Sequence, residues 1–200
     1  MSDTNGWSFD HGMSSIRVGD LVRLHAIEPG DWEALRKFDE NTGDMRRADK
    51  IQLPFSDARQ REWAEQAALK KPDGDRFQLA IESLADGVLV GSMTTFYLDY
   101  RAGRFGYGIA IGGEHKGHGY GSDAVPLLLN FMFGERRFHK CEANVWAFNE
   151  PSLAFHRKIG FTEEGRLRDH EYFAGRHHDV VLFGMTAPEF AARHPYPSEI

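Results

Sequence analysis

The sequence predicts a single α/β domain of the mixed (α+β) kind, with helices flanking a central, mostly antiparallel sheet of about seven strands. Three observations carry this. Two hundred residues fit one core, since chains usually divide only above about 250. Strand-like runs at 77–83, 88–98 and 104–111 are separated only by the turns Asp86-Gly87 and Arg101-Ala102-Gly103, which makes an antiparallel meander. A strand, a helix and another strand then follow from 104 to 147, which implies one locally parallel pair.

Taken in order, residues 1–15 are polar, with Trp7, Phe9 and Met13 as anchors, and read as a loose lead-in to a domain at 16–190; 191–200 read as a tail. Leu21 to Ile27 mixes alternation with β-branched residues and stops at Pro29-Gly30, so it is a strand. Asp31 reads as the cap of a helix with Trp32, Leu35 and Phe38 on one face, interrupted by Asn41-Thr42-Gly43. Pro54 and Ser56-Asp57 open a second helix, with Trp63, Ala67 and Leu69 as its buried stripe, and Lys70 to Gly74 end it. Beyond the meander, Ser122 to Arg137 sets Val125, Leu128, Leu129 and Met132 at helical spacing, with Pro126 in its first turns. A strand at 140–147, a helix at 151–159 stopped by Gly160, and strands at 161–173 and 177–186 complete the count.

Hydrophobic residues make up 41% and charged residues 27%, a globular mix that excludes a disordered or fibrous chain. Against 30 Asp and Glu stand 24 Lys and Arg, a net charge of -6, so nothing points to nucleic acid. The single cysteine, Cys141, excludes an internal disulfide and a multi-cysteine zinc site, and suits a reducing compartment. No window approaches the roughly 18 apolar residues of a membrane span, and Met1 to Asp10 lack the basic start and apolar run of a secretory signal. These readings place the chain in the cytoplasm, without a membrane partner.

The most informative stretch is Lys116-Gly117-His118-Gly119-Tyr120-Gly121-Ser122, between a strand and a helix. Its glycines let the backbone turn tightly and aim successive N–H groups at one point, and the following helix adds its positive end. The physical reading is a turn that binds a phosphate or pyrophosphate; the plainer one is a flexible glycine-rich turn. A nucleotide-hydrolase loop is excluded because Lys116 precedes the glycines. A dinucleotide loop fits poorly, since the glycines are spaced by two and follow several strands.

The string from Lys116 to Ala124 resembles the acyl-CoA loop of the GNAT acetyltransferases, with Lys116 in place of the usual Gln or Arg. Asn149-Glu150-Pro151-Ser152-Leu153-Ala154-Phe155-His156-Arg157-Lys158-Ile159-Gly160-Phe161 is similar to that family's Asn-rich turn, helix and closing Lys-x-Gly-Phe. Glu164 to Arg168, with Gly175 to Asp179, resembles the ribosomal-protein N-acetyltransferase-like branch, which includes polyamine- and antibiotic-acetylating relatives. The resemblance spans Val22 to Met185.

What the resemblance implies is direct acetyl transfer from acetyl-CoA to a primary amine of a small molecule or a polypeptide N-terminus, with no metal and no acyl-enzyme. It implies a parallel strand pair splayed at the acyl-CoA site. The pyrophosphate is expected on Lys116, Gly117, His118, Gly119, Tyr120, Gly121 and Ser122, and the pantetheine arm along the strand edge at Ile109, Ala110 and Ile111. Asn149, Ser152 and Lys158 are expected beside the cofactor, although Ser152 also reads as a helix cap. A homodimer is expected from the resemblance alone. The alternative is a catalytically silent acyl-CoA sensor, motivated by the departures at Lys116 and His156 and by the lack of a clear base.

His156 takes a position where the family often has a tyrosine serving the leaving thiolate, and a histidine there could donate a proton near neutral pH; the other reading is a surface histidine. Glu142 is the candidate to accept the amine's proton, directly or through water, whereas Tyr107 reads as packing. Asp39, Glu40, Asp44 and Asp49 either attract a cationic amine or form a solvated face. Phe55, Trp63, Tyr97 and Tyr172 read as core, or else as the lining of an acceptor pocket. His115, His118, His139, His177, His178 and Asp179 repeat no ligand spacing, so no metal is expected. Cys141 reads as buried packing.

Overall fold

The computed structural model describes residues 15–48, 51–71 and 73–196; the anchors expected at Trp7, Phe9 and Met13 lie outside them, as does Asp49. The alternating runs form β1 (Val22–Ala26), β2 (Gln78–Ser83), β3 (Leu89–Asp99), β4 (Arg104–Ile111), β5 (Lys140–Trp146), β6 (Thr162–Phe173) and β7 (Arg176–Thr186). They make one sheet in the order β1-β2-β3-β4-β5-β7-β6, in which the meander supplies β2-β3-β4 and the strand–helix–strand unit sets β5 beside β4. Successive side chains on a strand point to opposite faces, so Ala80 and Leu89 meet one helical layer while Ile81 and Val90 meet the other. The first layer is α1 (Trp32–Glu40) and α3 (Asp57–Leu69), which contribute Trp32, Leu35, Phe38, Trp63 and Ala67. The second is dominated by α4 (Tyr120–Asn130), whose Val125, Leu128 and Leu129 meet Phe105 in the main core.

What positions a site is the parallel pair. β4 and β5 are joined only from Arg104↔Lys140 to Gly106↔Glu142. Beyond that point β4 continues along β3 to Ile111, while β5 follows β7 to Trp146. The two strands part into a V-shaped notch, and among the described residues no strand lies beside the β5-facing edge of β4 from Tyr107 to Ile111.

Several local expectations are corrected. Asp31 closes a short 3-10 turn, where its carboxylate accepts the Glu28 N–H, and makes no side-chain cap to α1. Asn41 does not simply interrupt: its side chain accepts the N–H groups of Gly43 and Asp44 and so starts α2 (Thr42–Ala48). Leu69 is 86% exposed because α3 ends there, leaving the stripe to Trp63 and Ala67. α4 begins two residues earlier than expected, which puts Pro126 at its seventh position, and a π-helical turn at Phe131–Glu135 follows it. A closing helix, α6 (Ala187–Arg193), starts with Thr186 and Glu189 in a capping box and buries Phe190 against Phe133.

Candidate active site

The site grows from the glycine loop. Gly117 and Gly119 have φ of +83° and +88°, left-handed values that a side chain would strain, and Gly119 is the residue from which α4 springs. An eleven-residue helix then points its free N–H groups and positive end at the loop. One residue inside that helix, Asp123 is 2% exposed and accepts the N–H groups of Asp20 at 3.2 Å, Leu21 at 2.8 Å and Val22 at 2.9 Å. Burial pushes its carboxyl up while the three N–H groups pull it down. Asp123 thus ties the start of β1 to the start of α4; an acidic residue just after the glycines was the available signal.

The second wall of the notch is α5 (Glu150–Ile159), whose Phe155 lies over Gly121. Asn149 caps it: Oδ1 accepts the Ser152 N–H at 3.3 Å, and Nδ2 donates to the Arg47 carbonyl at 2.8 Å. Ser152 is therefore the capped residue and not the cap. Lys158 is exposed on the last turn of α5, one turn from Phe155.

Lys116 does not stand free for a phosphate, because its ammonium is paired with Asp44 of α2, which also faces Arg47 at 3.5 Å. His118 and Tyr120 stack with centroids 5.8 Å apart and line a cleft of about 400 Å³ with Asp20, Leu21 and Ser83 to Ala85. That cleft lies between the glycine loop, the residues before β1 and the end of β2.

His156 is only 5% exposed, so the surface reading is corrected. Nδ1 lies 2.8 Å from the Ser152 carbonyl, which can only accept, so Nδ1 carries the hydrogen. Nε2 is left with a lone pair, which accepts the Tyr107 hydroxyl at 2.9 Å. Burial holds His156 below the ordinary imidazole value and Tyr107 well above the ordinary phenol value. At rest the ring is neutral, and its Nε2 accepts a hydrogen bond in place of holding a proton to give. Tyr107 was legible only as packing, since a buried strand tyrosine carries no periodic signal.

Glu142 is not brought to His156. Cys141, Ala143 and Val145 point into the main core, so Glu142 takes the opposite face, where Arg104 holds it at 3.4 Å. It sits at the last rung joining β4 to β5, at the apex of the notch. Phe55, Tyr97 and Tyr172 are exposed, contrary to a core role, whereas Trp63 packs from α3 into the cluster it shares with α1. Among the described residues, no group of three or more His, Cys, Asp or Glu side chains is arranged to hold a metal.

A free strand edge that leads from a nest of N–H groups to a buried Tyr–His pair suits a long substrate with phosphates at one end, amides along its arm and its reactive group at the apex. Comparison with known proteins agrees. The acetyltransferase (GNAT) domain profile matches residues 22–162. The chain belongs to the GNAT acetyltransferases. It is 35% identical over 177 residues to the SPbeta prophage-derived uncharacterized N-acetyltransferase YokL of Bacillus subtilis, covering 88% of this chain and 96% of that one. It is 35% identical over 109 residues to the putative ribosomal N-acetyltransferase YdaF of the same species, covering 54% and 58%. The spermidine N-acetyltransferase of Vibrio cholerae, solved with CoA and spermine, shares the fold at a TM-score of 0.72 and 21% identity, over 84% of this chain and 97% of that one. This GNAT protein is thus an acetyl-CoA-dependent N-acetyltransferase.

Proposed function

We propose that this acetyltransferase acetylates the primary amine of a singly charged small molecule or a polypeptide N-terminus, in the cytoplasm, as a homodimer. The observation that carries the site is the unpaired edge of β4 from Tyr107 to Ile111, running from the glycine loop to the notch apex. Pyrophosphate oxygens accept from the loop and α4 N–H groups, and the pantetheine amides pair with the β4 edge at Ile109, Ala110 and Ile111. Asn149, Ser152 and Lys158 stand on the facing wall.

The acceptor side favours one positive charge over several. Among the described residues, Asp44 is already neutralised by Lys116 and Arg47, and Glu40 by Arg36, which also holds Asp57. Past the mouth, Trp146, Phe148, Phe173 and His178 form an aromatic wall, with Arg46 5.4 Å above Phe173. Such a wall accepts a flat or apolar body and leaves few carboxylates for a polycation.

The free thiol of Cys141 suits a reducing compartment, and the net charge of -6 offers nothing to nucleic acid. Among the described residues, no helix is long and apolar enough to cross a membrane. Self-association would use a face other than the β6 edge, which is charged and carries two register shifts. The test is CoA release from acetyl-CoA with pools of arylalkyl amines, amino acid derivatives, short peptides and polyamines. Release with arylalkyl amines, amino acid derivatives or peptides supports the proposal; release with polyamines alone overturns it.

A further inference from the structure

Acetyl transfer makes two demands on protons: the attacking nitrogen must lose one, and the departing sulfur must gain one. The resting state of His156 answers the first. Its Nδ1 hydrogen is committed to the Ser152 carbonyl at 2.8 Å, and its Nε2 lone pair faces the Tyr107 hydroxyl at 2.9 Å. Tyr107 is the first residue of β4 beyond the last rung shared with β5, so its backbone stands where the notch opens, while its ring turns into the main core beside Phe161. His156 reaches it from α5, the opposite wall. Their hydrogen bond spans the two walls at the apex, about 13 Å down the free strand edge from Ile111 at strand spacing.

We propose that Tyr107 and His156 form a two-member proton relay, in which Tyr107 meets the reacting atoms and His156, acting through it, holds the proton between bond making and bond breaking. The inference rests on the acetyl-transfer reading and extends it. A neutral amine nitrogen bonds to the thioester carbonyl carbon, and one of its N–H protons passes to the Tyr107 oxygen. Tyr107 delivers its own proton to His156 Nε2 in the same movement, so no tyrosinate forms. The imidazolium, with Nδ1–H on the Ser152 carbonyl, keeps that proton until the carbon–sulfur bond breaks. The proton then returns along the same path to the sulfur. The products are the acetamide and CoA thiol, and both side chains end as they began.

The surroundings leave the exchange to this pair. His156 is enclosed by Phe155, Phe161 and Phe183, which carry no charge, and Ser152 contributes a hydroxyl 3.4 Å from Nδ1. Arg157 lies 5.8 Å from the Phe183 ring, and the titratable group beside Tyr107 is Cys141, whose thiol burial pushes well up.

The test uses the full chain in two arms. The first, without substrate, reads the tautomer by 15N NMR of the imidazole: the proposal expects the proton on Nδ1, and a proton on Nε2 overturns it. The second compares kcat and KM for wild type, Tyr107→Phe and His156→Gln, with melting temperatures checking that each variant folds. Phenylalanine keeps the ring and loses the hydroxyl; glutamine can still accept the Tyr107 hydrogen bond but cannot carry a proton. The relay expects each variant to lose about a hundredfold in kcat, with KM for acetyl-CoA unchanged. It also expects the wild-type kcat to hold through the ordinary imidazole range and fall only below it, as His156 becomes protonated at rest. Near-wild-type kcat in Tyr107→Phe overturns the relay, and near-wild-type kcat in His156→Gln reduces His156 to a positioning residue. A wild type inactive with every amine would count against the proposed function, whereas the NMR arm judges the pair without turnover.

Discussion

Replacing Asp123 by asparagine tests how firmly the phosphate end of the site is built. The carboxylate serves three backbone donors, with Oδ2 taking Leu21 and Val22 and Oδ1 taking Asp20. An asparagine keeps one oxygen for Leu21 and Val22 and turns its amide hydrogens against the Asp20 N–H; flipping the amide moves the conflict to the other two. One hydrogen bond is lost outright and two lose their charge assistance, where bonds to charged groups contribute about 1.5–3 kcal/mol and neutral ones about 1. The burial that raises the Asp123 carboxyl also penalises its charge, and the amide escapes that penalty. The net loss is about 3 kcal/mol, and in a chain of this size each kcal/mol moves the Tm by about 2–4 °C, giving a fall of about 6–12 °C. The assay is thermal unfolding by circular dichroism, with KM for acetyl-CoA expected to rise while kcat holds. Gly19→Ala approaches the same contact from the other side, because a Cβ there would collide with the Asp123 carboxylate. Melting temperatures within about 2 °C of wild type for both variants would refute the reasoning.

Three further outcomes are expected. Asp44→Asn releases Lys116 toward the cofactor phosphates, so KM for acetyl-CoA falls, and Lys116→Ala raises it, each by up to about fivefold, the scale of a partly exposed ion pair; an unchanged KM in both variants shows that Lys116 serves α2 alone. Gly119→Ala strains a φ of +88° and sets a Cβ 3.1 Å from Leu21 Cδ1, so titration calorimetry should find acetyl-CoA bound about tenfold more weakly. His156 has a folded pKa below its unfolded value, so the unfolded chain binds more protons in the interval between them. Its stability contribution is complete above the ordinary value of 6.5 and is lost as pH falls through the folded value; urea titrations across that range should show the slope in wild type and a flatter one in His156→Gln.

The sheet was largely legible because its signals are local. Alternation in β2 to β4, the turns at Asp86-Gly87 and Arg101-Ala102-Gly103, and the loop glycines each act within a few residues, and the structure keeps them all. The missed features depend on contacts distant in sequence or on residues with double use. Asn41 reads as a helix breaker and serves as a cap, so α2 went unseen. Thr186 ends a strand and opens α6 at once. Within the site, the loop could be found from its own string, whereas the state of His156 was hidden: its tautomer is fixed by a carbonyl on its own helix and its partner comes from β4, 49 residues away. The Lys116–Asp44 pair joins residues 72 apart, and no pattern in either segment announces it.

The burial of Cys141 makes the enzyme easy to follow. The chain has one thiol, it lies wholly inside the main core, and burial keeps it from ionising at ordinary pH. Only a thiolate attacks a disulfide reagent at a useful rate, so the folded protein is silent toward a chromogenic disulfide while the CoA it releases is not. Turnover is then read continuously as colour against a flat protein baseline, and a slow rise in samples without acetyl-CoA would report unfolded chains.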